Sequence, residues 1–526
     1  MPSKNKNLVL AAMIFAVAMI FIDQTIVALA IPRLQRDLRL SPTGAQWIVN
    51  GYLLAISALF ALGGRVADVF GHRRVVMFGV GAFALFSALC GATPTGSIGE
   101  TWMIVFRVAQ GASAAFLFPA ALATVAATFP VGERGKALAV FFSISGGLTA
   151  IGPIAGGYLT QWTWRAIFWI NVPVALVAIV LTLRSDPSEE RHPAPIDWRG
   201  AALVGSGMTL AVLGLQQAGS WGWGSVVTWA CLIAGLALLV LFVRAELQSD
   251  HPLVPVRLFA NQAFAVDNAV LFFLSICFVP LFFFASLYAQ VALDKTAENA
   301  GLLLLVFFGG FTIASQWGGR ILDNRGARPT VVLGCAVAAV GFYLFGQKLD
   351  VLSFAKQWPY LAIAGAGTGM VLGPVSTDAL NRASRASYGA VTGLTQTVRN
   401  FGGSLGLAVL GSLLVTETTS RVEHTLGRYG VPTSVSDRVA HTISGASGPA
   451  AGGAPGGQPS GAVRQAVQLD FAHATQIVMT GMAAAMAAAF VIALIALPGG
   501  KVEQPAEEVD EAAPVRQAAR PTGGVA

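Results

Sequence analysis

The sequence predicts an all-helical membrane protein with fourteen transmembrane helices, arranged as two six-helix halves with two further helices inserted between them. Hydrophobic residues make up 55% of the 526-residue chain and charged residues only 11%, against roughly 25% charged residues in soluble domains. Apolar runs of about 20 residues, the length that crosses a bilayer, recur along the chain. A charged, glycine-containing loop occurs twice, once in each half.

The repeated loop is the clearest sign of duplication. Each copy has Gly, then Asp four residues later, Gly three residues after that and Arg two residues further on, and the copies stand 255 residues apart. Pro119 and Pro374 keep the same spacing. Duplicated halves are how many transporters build a central site that can face either side of a membrane. The loop residues are Gly64, Asp68, Gly71 and Arg73 in the first copy, and Gly319, Asp323, Gly326 and Arg328 in the second.

The apolar runs define the domain organisation. Their centres lie near residues 20, 56, 84, 113, 147, 175, 208, 237, 277, 307, 338, 368, 402 and 485. The repeat pairs the first six runs with the ninth to the thirteenth plus the last, so the seventh and eighth form the insertion. We therefore divide the chain into a first half at 1–185, a linker with two inserted helices at 186–258, a second half at 259–498 and a tail at 499–526.

Two segments are predicted to be disordered. The stretch near 417–470 is rich in Gly, Ala, Ser and Pro, and the tail from 499 onward is rich in Glu, Ala, Pro and Arg. Such compositions bury too little apolar surface to fold. We expect the first segment to be a long extracellular loop.

Positive charge in the short loops predicts the orientation. With the N-terminus inside, the inner loops hold 17 Lys and Arg and the outer loops hold 7. Because short cytoplasmic loops are enriched in Lys and Arg, both termini are predicted to be cytoplasmic, in the inner or plasma membrane. A cleaved signal peptide is the alternative for the first helix, but its long apolar run contains Asp23, which a signal core rarely carries.

Charge and cysteine usage exclude several protein classes. The formal charge of +7 is spread over loops, so nucleic acid is not an expected partner. The four cysteines lie in or beside apolar runs without a CxxC pair, so neither disulfides nor a zinc site is expected. The sequence has no Gly-rich Lys-Ser/Thr phosphate-binding loop, which argues against ATP hydrolysis by this chain as the energy source. We expect no cofactor and no metal, a proton gradient as the energy source, and a monomer whose partners are small-molecule substrates, protons and the lipid bilayer.

Asp23 and Arg107 are the intramembrane charges of the first half. A carboxylate at membrane depth costs roughly 2.5 kcal/mol or more, so Asp23 should face a cavity or a partner, and burial favours its protonated form. Arg107 is the only charge in the fourth apolar run, and Gln110, one turn later, shares its face. These three residues are the predicted proton-coupling site. The alternatives are a structural carboxylate and an ion pair with no role in turnover.

The repeated loops are predicted to act as cytoplasmic gates. The Asp and Arg of each loop can bond across the inner face and to helix ends, while Gly71 and Gly326 permit a tight turn that a side chain would obstruct. Ion pairs that break when the site opens inward set the balance between two states. The alternative is simple control of topology by positive charge.

The interiors of the two halves are predicted to differ. A shift of 255 residues places Phe278 where the first half has Asp23, and Ala362 where it has Arg107. The ninth run carries many Phe, and aromatic faces attract cations and stack on flat rings. We predict charge coupling in the first half and an aromatic wall in the second, the alternative being Phe that face lipid or neighbouring helices. The substrate-cavity candidates are Phe272, Phe278, Phe282, Tyr288 and Gln290.

Taken together, these motifs resemble the major facilitator superfamily, and within it the fourteen-helix drug:proton antiporter branch. The resemblance rests on the segments 21–32, 106–111, 152–157 and 164–173 together with the duplicated loop. It runs from about residue 8 to 415 and includes the last helix. It implies alternating access, with proton coupling or cation recognition at the intramembrane Asp and proton transfer at the Arg of the fourth helix.

The fifth helix contains what the resemblance identifies as the antiporter motif, a proton-leak seal and bending point. Small residues there allow close helix packing, and a proline removes a helical hydrogen bond. Leu148 departs from the fuller pattern, which has Gly at that position. The alternative is a plain packing helix. The motif residues are Gly147, Gly152, Pro153, Gly156 and Gly157.

We therefore expect a proton-coupled efflux transporter for small amphipathic or cationic compounds, and not an enzyme. A dedicated exporter of one metabolite or antibiotic is the alternative on the same fold. A membrane enzyme would need polar catalysts at depth, whereas all six histidines fall in loops or at helix ends. A transporter-like sensor would bind substrate without flux. Asp267 and Asp378 are expected to be solvated charges near the inner surface.

Overall fold

The computed structural model describes residues 5–40, 42–185, 195–249, 252–253, 256–382, 388–428 and 461–500, and in these ranges it contains helices and no β-strand. Fourteen of the described helices have fifteen residues or more. They are α1 (Lys6–Leu38), α2 (Pro42–Phe70), α3 (His72–Gly91), α4 (Gly99–Thr128), α5 (Val131–Trp162), α6 (Asn171–Ser185), α7 (Trp198–Trp221), α8 (Val226–Gln248), α9 (Gln262–Val291), α10 (Ala297–Arg325), α11 (Ala327–Gly346), α12 (Phe354–Asn381), α13 (Tyr388–Arg428) and α14 (Gly461–Ala496). A short helix, Ala166–Trp169, and two 3₁₀ turns, Val256–Ala260 and Leu349–Val351, complete the described elements.

The all-helical fold is confirmed, and every predicted centre lies within one of these helices. Eleven helices in the described part of the chain are long and apolar enough to cross a membrane. The other three, α5, α10 and α12, are rich in Gly, Ser and Thr, which lowers their mean hydropathy. Small residues of this kind allow close approach between helices in a membrane.

Glycine makes the two sharp turns of the repeated loops. Gly71 separates α2 from α3 with φ of 96°, and Gly326 separates α10 from α11 with φ of 85°. Only glycine adopts such values without steric cost. We refer to the end of the bundle that holds these turns as the motif end, and to the opposite end as the far end.

The two halves repeat the same helix crossings. In the first half a Cβ on Gly111 of α4 would collide with the carbonyl oxygen of Tyr52 on α2. In the second half a Cβ on Gly365 of α12 would collide with the carbonyl oxygen of Phe307 on α10. The duplication read from the loops therefore extends to backbone contacts inside each half.

The inserted helices lie beside one of the two junctions between the halves. Helix α7 packs against α8 and also against α2 and α13, one helix from each half. Its N-terminus is capped by Asp197, whose Oδ1 accepts a hydrogen bond from the Gly200 amide at 2.9 Å. The insertion therefore contacts both halves rather than only linking them.

The prediction of a disordered loop over 417–470 is wrong at both of its ends. Helix α13 continues to Arg428, and α14 begins at Gly461. Val422 and Leu426 pack against Val463 and Val467, so apolar contacts hold the two extensions together. Residues 429–460 and the tail from 501 onward lie outside the described residues.

Candidate functional site

The candidate coupling site is a buried hydrogen-bonded cluster between α1 and α4. Arg107 Nη1 donates to Asp23 Oδ2 at 2.6 Å, and Gln110 Nε2 donates to Asp23 Oδ1 at 3.0 Å. Arg107 Nη1 also donates to Gln110 Oε1 at 2.8 Å. All three side chains are at most 1% exposed. The structure thus brings together the three residues predicted from the sequence, and both carboxylate oxygens of Asp23 have a donor.

Helix α2 completes the cluster with two groups that the sequence did not indicate. Arg107 Nε donates to the carbonyl oxygen of Ile48 at 3.0 Å. The Arg107 guanidinium also lies 4.2 Å from the centre of the Tyr52 ring, within cation–π range. The Tyr52 hydroxyl is buried and has no hydrogen-bond partner among the described residues. A lone Tyr in an apolar segment carries no periodicity that would have identified this contact.

This arrangement can couple charge to helix position. A buried ion pair is held by hydrogen bonds from several helices, and removal of either charge leaves the other uncompensated. Protonation of Asp23 would remove its negative charge and weaken the bond to Arg107. The three helices that meet here would then be held less tightly to one another.

Asp68, at the end of α2, joins the two halves at the motif end. Its Oδ1 accepts a hydrogen bond from the Gly389 amide and its Oδ2 from the Ala390 amide, both at 2.7 Å. These amides belong to the first turn of α13, where the helix dipole favours a negative charge. His72 Nε2 lies 3.1 Å from Oδ1. Asp68 therefore binds a helix N-terminus of the opposite half.

Asp323, at the end of α10, makes the matching contact in the other direction. Its Oδ1 accepts from the Gly135 amide at 3.1 Å and its Oδ2 from the Lys136 amide at 3.3 Å, in the second turn of α5. The two repeated aspartates thus form a reciprocal pair, each binding a helix of the other half. We call these contacts the α2–α13 seam and the α5–α10 seam.

Glycines allow the helices to meet closely at both seams. At the α2–α13 seam a Cβ on Gly64 would collide with the carbonyl oxygen of Gly389, and a Cβ on Gly389 with that of Gly64. At the α5–α10 seam a Cβ on Gly319 would lie 2.8 Å from the carbonyl oxygen of Gly135. The first glycine of each repeated loop is therefore a point of contact between the halves.

Arg328, the arginine of the second repeated loop, bonds within its own half. Arg328 Nη2 donates to the carbonyl oxygen of Leu494, near the C-terminal end of α14 in its own half, at 2.8 Å. Arg73 is half-buried beside the first turn. Another arginine makes a cross-half contact: Arg134 Nη1 donates to Asn381 Oδ1 at 2.6 Å and lies 5.1 Å from the Tyr388 ring centre. No motif in the sequence identified Arg134.

Further polar contacts cross between the halves away from the motif end. The hydroxyls of Ser143 on α5 and Ser315 on α10 share a hydrogen bond. Asn400 Nδ2 donates to Ser57 Oγ at 3.4 Å. The Arg399 guanidinium lies 5.8 Å from the ring centre of Phe142.

The predicted antiporter motif packs beside the coupling cluster. Helix α5 runs from Val131 to Trp162 and contacts α1. A Cβ on Gly152 would collide with Thr25 Oγ1, two residues from Asp23, so the glycine sets the approach of α5 to α1. Gly156 is buried, whereas a Cβ on Gly147 would meet no atom within 4 Å. The surroundings of Pro153 and Gly157 lie outside the described residues.

The predicted aromatic wall forms a packed cluster between α9 and α10. The ring centre of Phe278 lies 5.1 Å from that of Phe282 and 6.1 Å from that of Phe307. Phe308 and Phe311 extend the cluster, with Phe308 stacked on Phe282 at 5.3 Å. Phe278 is buried, while Phe282 is half-buried. In this state the rings therefore pack mainly on one another.

The other substrate-cavity candidates lie apart from this cluster. Half-buried Phe272 stacks on Phe401 of α13, with ring centres 6.3 Å apart. The Tyr288 hydroxyl donates to the Leu349 carbonyl oxygen and accepts from Gln357 Nε2, both at 2.7 Å. These bonds hold buried Tyr288 within the second half. Exposed Gln290 donates to the Ser286 carbonyl oxygen at 3.3 Å and is separate from the aromatic cluster.

The expectation that Asp267 and Asp378 are solvated is wrong. Asp267 is 0% exposed and Asp378 is 1% exposed. Arg382 donates to Asp378 Oδ2 from Nε at 2.9 Å and from Nη2 at 2.8 Å. Both acids stand near a helix end in the sequence, but packing of α9 and α12 removes them from solvent. As for metals, the described residues hold no group of three or more His, Cys, Asp or Glu arranged to bind an ion.

Comparison with known proteins identifies the fold and its relatives. Residues 13–407 match the model of the Major Facilitator Superfamily. In structure the chain is similar to a proton:xylose symporter, with a TM-score of 0.61, 13% identity, and coverage of 96% of this chain and 98% of that one. It is also similar to the human organic anion transporter MFSD10, with a TM-score of 0.56, 14% identity, and coverage of 93% and 99%.

Sequence relatives include proteins named for antibiotic export and resistance. The chain is 33% identical over 412 residues to the tetracenomycin C resistance and export protein of Streptomyces glaucescens, covering 77% of this chain and 75% of that protein. It is 33% identical to the puromycin resistance protein of Streptomyces alboniger, covering 77% and 81%. It is 31% identical to the cephamycin export protein of Amycolatopsis lactamdurans, covering 78% and 86%.

Proposed function

This chain belongs to the Major Facilitator Superfamily and is a multi-pass membrane protein, and we propose that it is a proton-driven exporter of small amphipathic or cationic compounds. The observation that carries the proposal is the buried cluster of Asp23, Arg107 and Gln110, which places a protonatable carboxyl beside a fixed cation. The names of the relatives, which concern export of and resistance to antibiotics, support an outward direction of transport.

We propose that all fourteen long helices cross the cell membrane, with both termini in the cytoplasm. The three helices that fall short in hydropathy, α5, α10 and α12, pack against other helices, so they do not need apolar surfaces on every side. The excess of Lys and Arg in the loops of the motif end supports a cytoplasmic position for that end. No enzymatic step, cofactor or metal is needed, and we propose a monomer with small-molecule substrates and protons as its partners.

In the proposed cycle, the described structure is a state closed to the cytoplasm. The reciprocal bonds of Asp68 and Asp323 hold the two halves together at the motif end. Opening toward the cytoplasm requires these bonds to break, and opening toward the outside can leave them intact. Substrate release and proton entry would therefore both occur on the outer side while the motif end stays closed.

Proton coupling follows from competition at Asp23. The carboxylate can be neutralised by a proton or balanced by a cation, whether Arg107 or a positively charged substrate. A proton that enters from outside would neutralise Asp23 and displace a bound cationic substrate outward. Loss of the proton to the cytoplasm after the halves reopen would restore the charged form and reset the site.

We propose that substrate contacts come from the aromatic second half. Half-buried Phe272 and Phe282 offer ring surfaces, and buried Phe278 packs against Phe282. Ring faces bind flat apolar molecules and cations without a fixed hydrogen-bond geometry. Such contacts suit compounds that share amphipathic character rather than one exact shape.

The first test is transport by purified protein in sealed proteoliposomes. An imposed pH gradient should drive uptake of a fluorescent cation such as ethidium, and Asp23→Asn should abolish the gradient-driven component. Asp350→Asn, which changes an exposed acid in a 3₁₀ turn at the far end, is the matched control and should transport normally. Full transport by Asp23→Asn would contradict the coupling role.

A dedicated exporter of one antibiotic or metabolite is the second candidate. The relatives named for tetracenomycin C, puromycin and cephamycin each carry the name of a single compound class, which favours this alternative. Absence of ethidium transport together with gradient-driven transport of one antibiotic would decide in its favour. The coupling cluster would serve either exporter.

A further inference from the structure

Asp267 on α9 and Asp378 on α12 form a second buried acidic group that the coupling cluster does not include. Both carboxyl groups face the same guanidinium: Arg382 Nη2 lies 2.8 Å from Asp378 Oδ2, and Arg382 Nε lies 3.7 Å from Asp267 Oδ2. A carboxylate has no hydrogen to donate, so a hydrogen bond between the two groups forms only when one of them carries a proton. The placement of the two side chains therefore already suggests a shared proton.

The cations that face this pair do not balance it. Arg382 donates twice to Asp378 Oδ2, and its Nε lies 3.7 Å from Asp267 Oδ2. Within the described ranges, neither oxygen of Asp267 accepts a hydrogen bond from a donor group, and the Oδ1 of Asn268 also lacks one. Among the described residues, one guanidinium thus stands against two carboxyl groups.

Two buried carboxyl groups this close to each other do not both ionise, because the negative charges repel and neither is well hydrated. One group then holds a proton and donates it to the other, as in the shared-proton pairs of aspartic proteases. Arg382 can compensate the single negative charge that remains. With one shared proton, the three buried side chains carry one negative and one positive charge and are neutral as a group.

The pair also lies beside a contact between the halves. Asp378 is less than one turn from Asn381, which accepts the hydrogen bond from Arg134 of the first half. Arg134 in turn lies over the ring of Tyr388, at the start of α13. Arg134 and Tyr388 are thus titratable groups at this junction, and separation of the halves would uncover the end of α12.

We propose that Asp267 and Asp378 form a second proton-binding site, which holds one proton while the motif end is closed. When the motif end opens, water reaches the pair, the O–H bond of the protonated carboxyl breaks, and the proton passes to water as hydronium. Both carboxylates are then hydrated, and closure requires that one proton be taken up again. The pair thereby makes closure of the motif end depend on pH.

Infrared difference spectroscopy between neutral and alkaline solution tests the proposal on the intact purified chain. A protonated carboxyl has a carbonyl stretching band that is separate from the bands of a carboxylate. We expect Asp267→Asn and Asp378→Asn each to lose intensity equivalent to one protonated carboxyl, because the remaining acid pairs with Arg382 and ionises. The double variant should lose no more than either single variant. Asp350→Asn, with its exposed acid, should lose none.

Two results would overturn the shared site. Unchanged band intensity in both single variants would mean that both acids are ionised and form an ordinary salt-bridge group with Arg382. Loss in Asp267→Asn but not in Asp378→Asn would assign the proton to Asp267 alone. Each amide variant keeps the side-chain volume, and thermal unfolding in detergent verifies that it is folded.

The transport consequence rests on the proposed function, whereas the spectroscopic test does not. In proteoliposomes the variants should still exchange substrate across the membrane but with a changed dependence of the exchange rate on internal pH. If the infrared band behaves as expected and no transport is found with any compound, the proton site stands and the exporter proposal fails. If transport is found and the band is absent, the exporter stands and the shared proton fails.

Discussion

The interiors of the two halves have the same helix crossings but opposite chemistry. Tyr52 and Phe307 occupy equivalent positions, since each offers its carbonyl oxygen to a glycine of the neighbouring helix. Around Tyr52 lie the ion pair of Asp23 and Arg107, whereas the ring of Phe307 lies 6.1 Å from that of Phe278. Where one half has a charged cluster, the other has stacked rings.

This difference shows which features the duplication retains and which it leaves free to diverge. The reciprocal aspartates and the glycine turns occur in both halves, and each aspartate binds a helix of the opposite half. The interior positions can change independently, since each is contacted mainly within its own half. One scaffold can therefore hold a proton-sensitive cluster on one side and an apolar binding surface on the other.

Removal of Arg107 should have the largest effect, because it destroys the charged cluster that distinguishes the first half from the second. Arg107→Ala would leave Asp23 buried without its cation, and we expect the free energy of unfolding to fall by about 3–5 kcal/mol. Arg107→Lys keeps the charge and should recover most of that loss. Because a Lys ammonium cannot reproduce the planar contacts to Asp23, Gln110 and the Ile48 carbonyl, we expect it not to restore gradient-driven transport. Denaturant unfolding and vesicle flux measure the two effects, and normal flux with Lys would contradict the geometric role.

Replacement of Phe278 tests the aromatic half. Phe278→Ala should lower the free energy of unfolding by about 3 kcal/mol, because it leaves a cavity among buried rings. Phe278→Leu and Phe282→Leu should restore stability but weaken the apparent affinity for an aromatic cation by about threefold, since they lack a ring face. Concentration-dependent transport of ethidium measures the affinity. Unchanged affinity in both Leu variants would show that the rings serve packing alone.

The symmetry of the motif end can be probed with the two aspartates. Asp68→Asn should raise the labelling rate of a cysteine placed at Ser315 by about tenfold, since a bond to a charged acceptor contributes about 1.5 kcal/mol or more. Asp323→Asn should raise it by less, about threefold, because its bonds of 3.1 and 3.3 Å are longer than the 2.7 Å bonds of Asp68. A soluble thiol reagent provides the measurement. Equal rates in both variants would contradict the difference between the seams.

The smallest effect is expected from Tyr52→Phe, which makes the first half resemble the second at this position. The hydroxyl has no partner in the described structure and the ring remains over Arg107, so the free energy of unfolding should change by less than about 1 kcal/mol. Tyr288→Phe is the matched control, because it removes a hydroxyl with two hydrogen bonds and should cost about 1–2 kcal/mol. Thermal unfolding measures both. A large loss of transport in Tyr52→Phe would mean that another state of the cycle uses the hydroxyl.

The sequence was informative at positions where the residue type permits only one backbone conformation or one kind of environment. Gly71 and Gly326 mark turns because other residues resist positive φ. Asp23 stands out because a carboxylate is costly in an apolar segment. The shared face of Arg107 and Gln110 follows from helical spacing. Each of these inferences depends on neighbours in the chain, for which local rules suffice.

Predictions from the sequence failed where contacts between residues far apart in the chain determine burial. The contact between Tyr52 and Arg107 joins α2 to α4 and has no local signature. Asp267 and Asp378 were expected to be solvated because they stand near helix ends, yet α9 and α12 bury them. The extension of α13 was missed because its low hydropathy hid a stripe of buried residues every fourth position. That stripe comprises Leu410, Leu414, Thr418, Val422 and Leu426.

Helix α7 packs against α2 and α13, so the two seams differ in their exposure to the bilayer. A molecule dissolved in the lipid would meet α7 before it reached the α2–α13 seam. In the described part of the chain, neither inserted helix packs against α5 or α10, so that seam is accessible from the lipid without passing them. The insertion thereby flanks only one of the two seams, so a molecule that entered laterally from the lipid would reach the α5–α10 seam without first meeting α7.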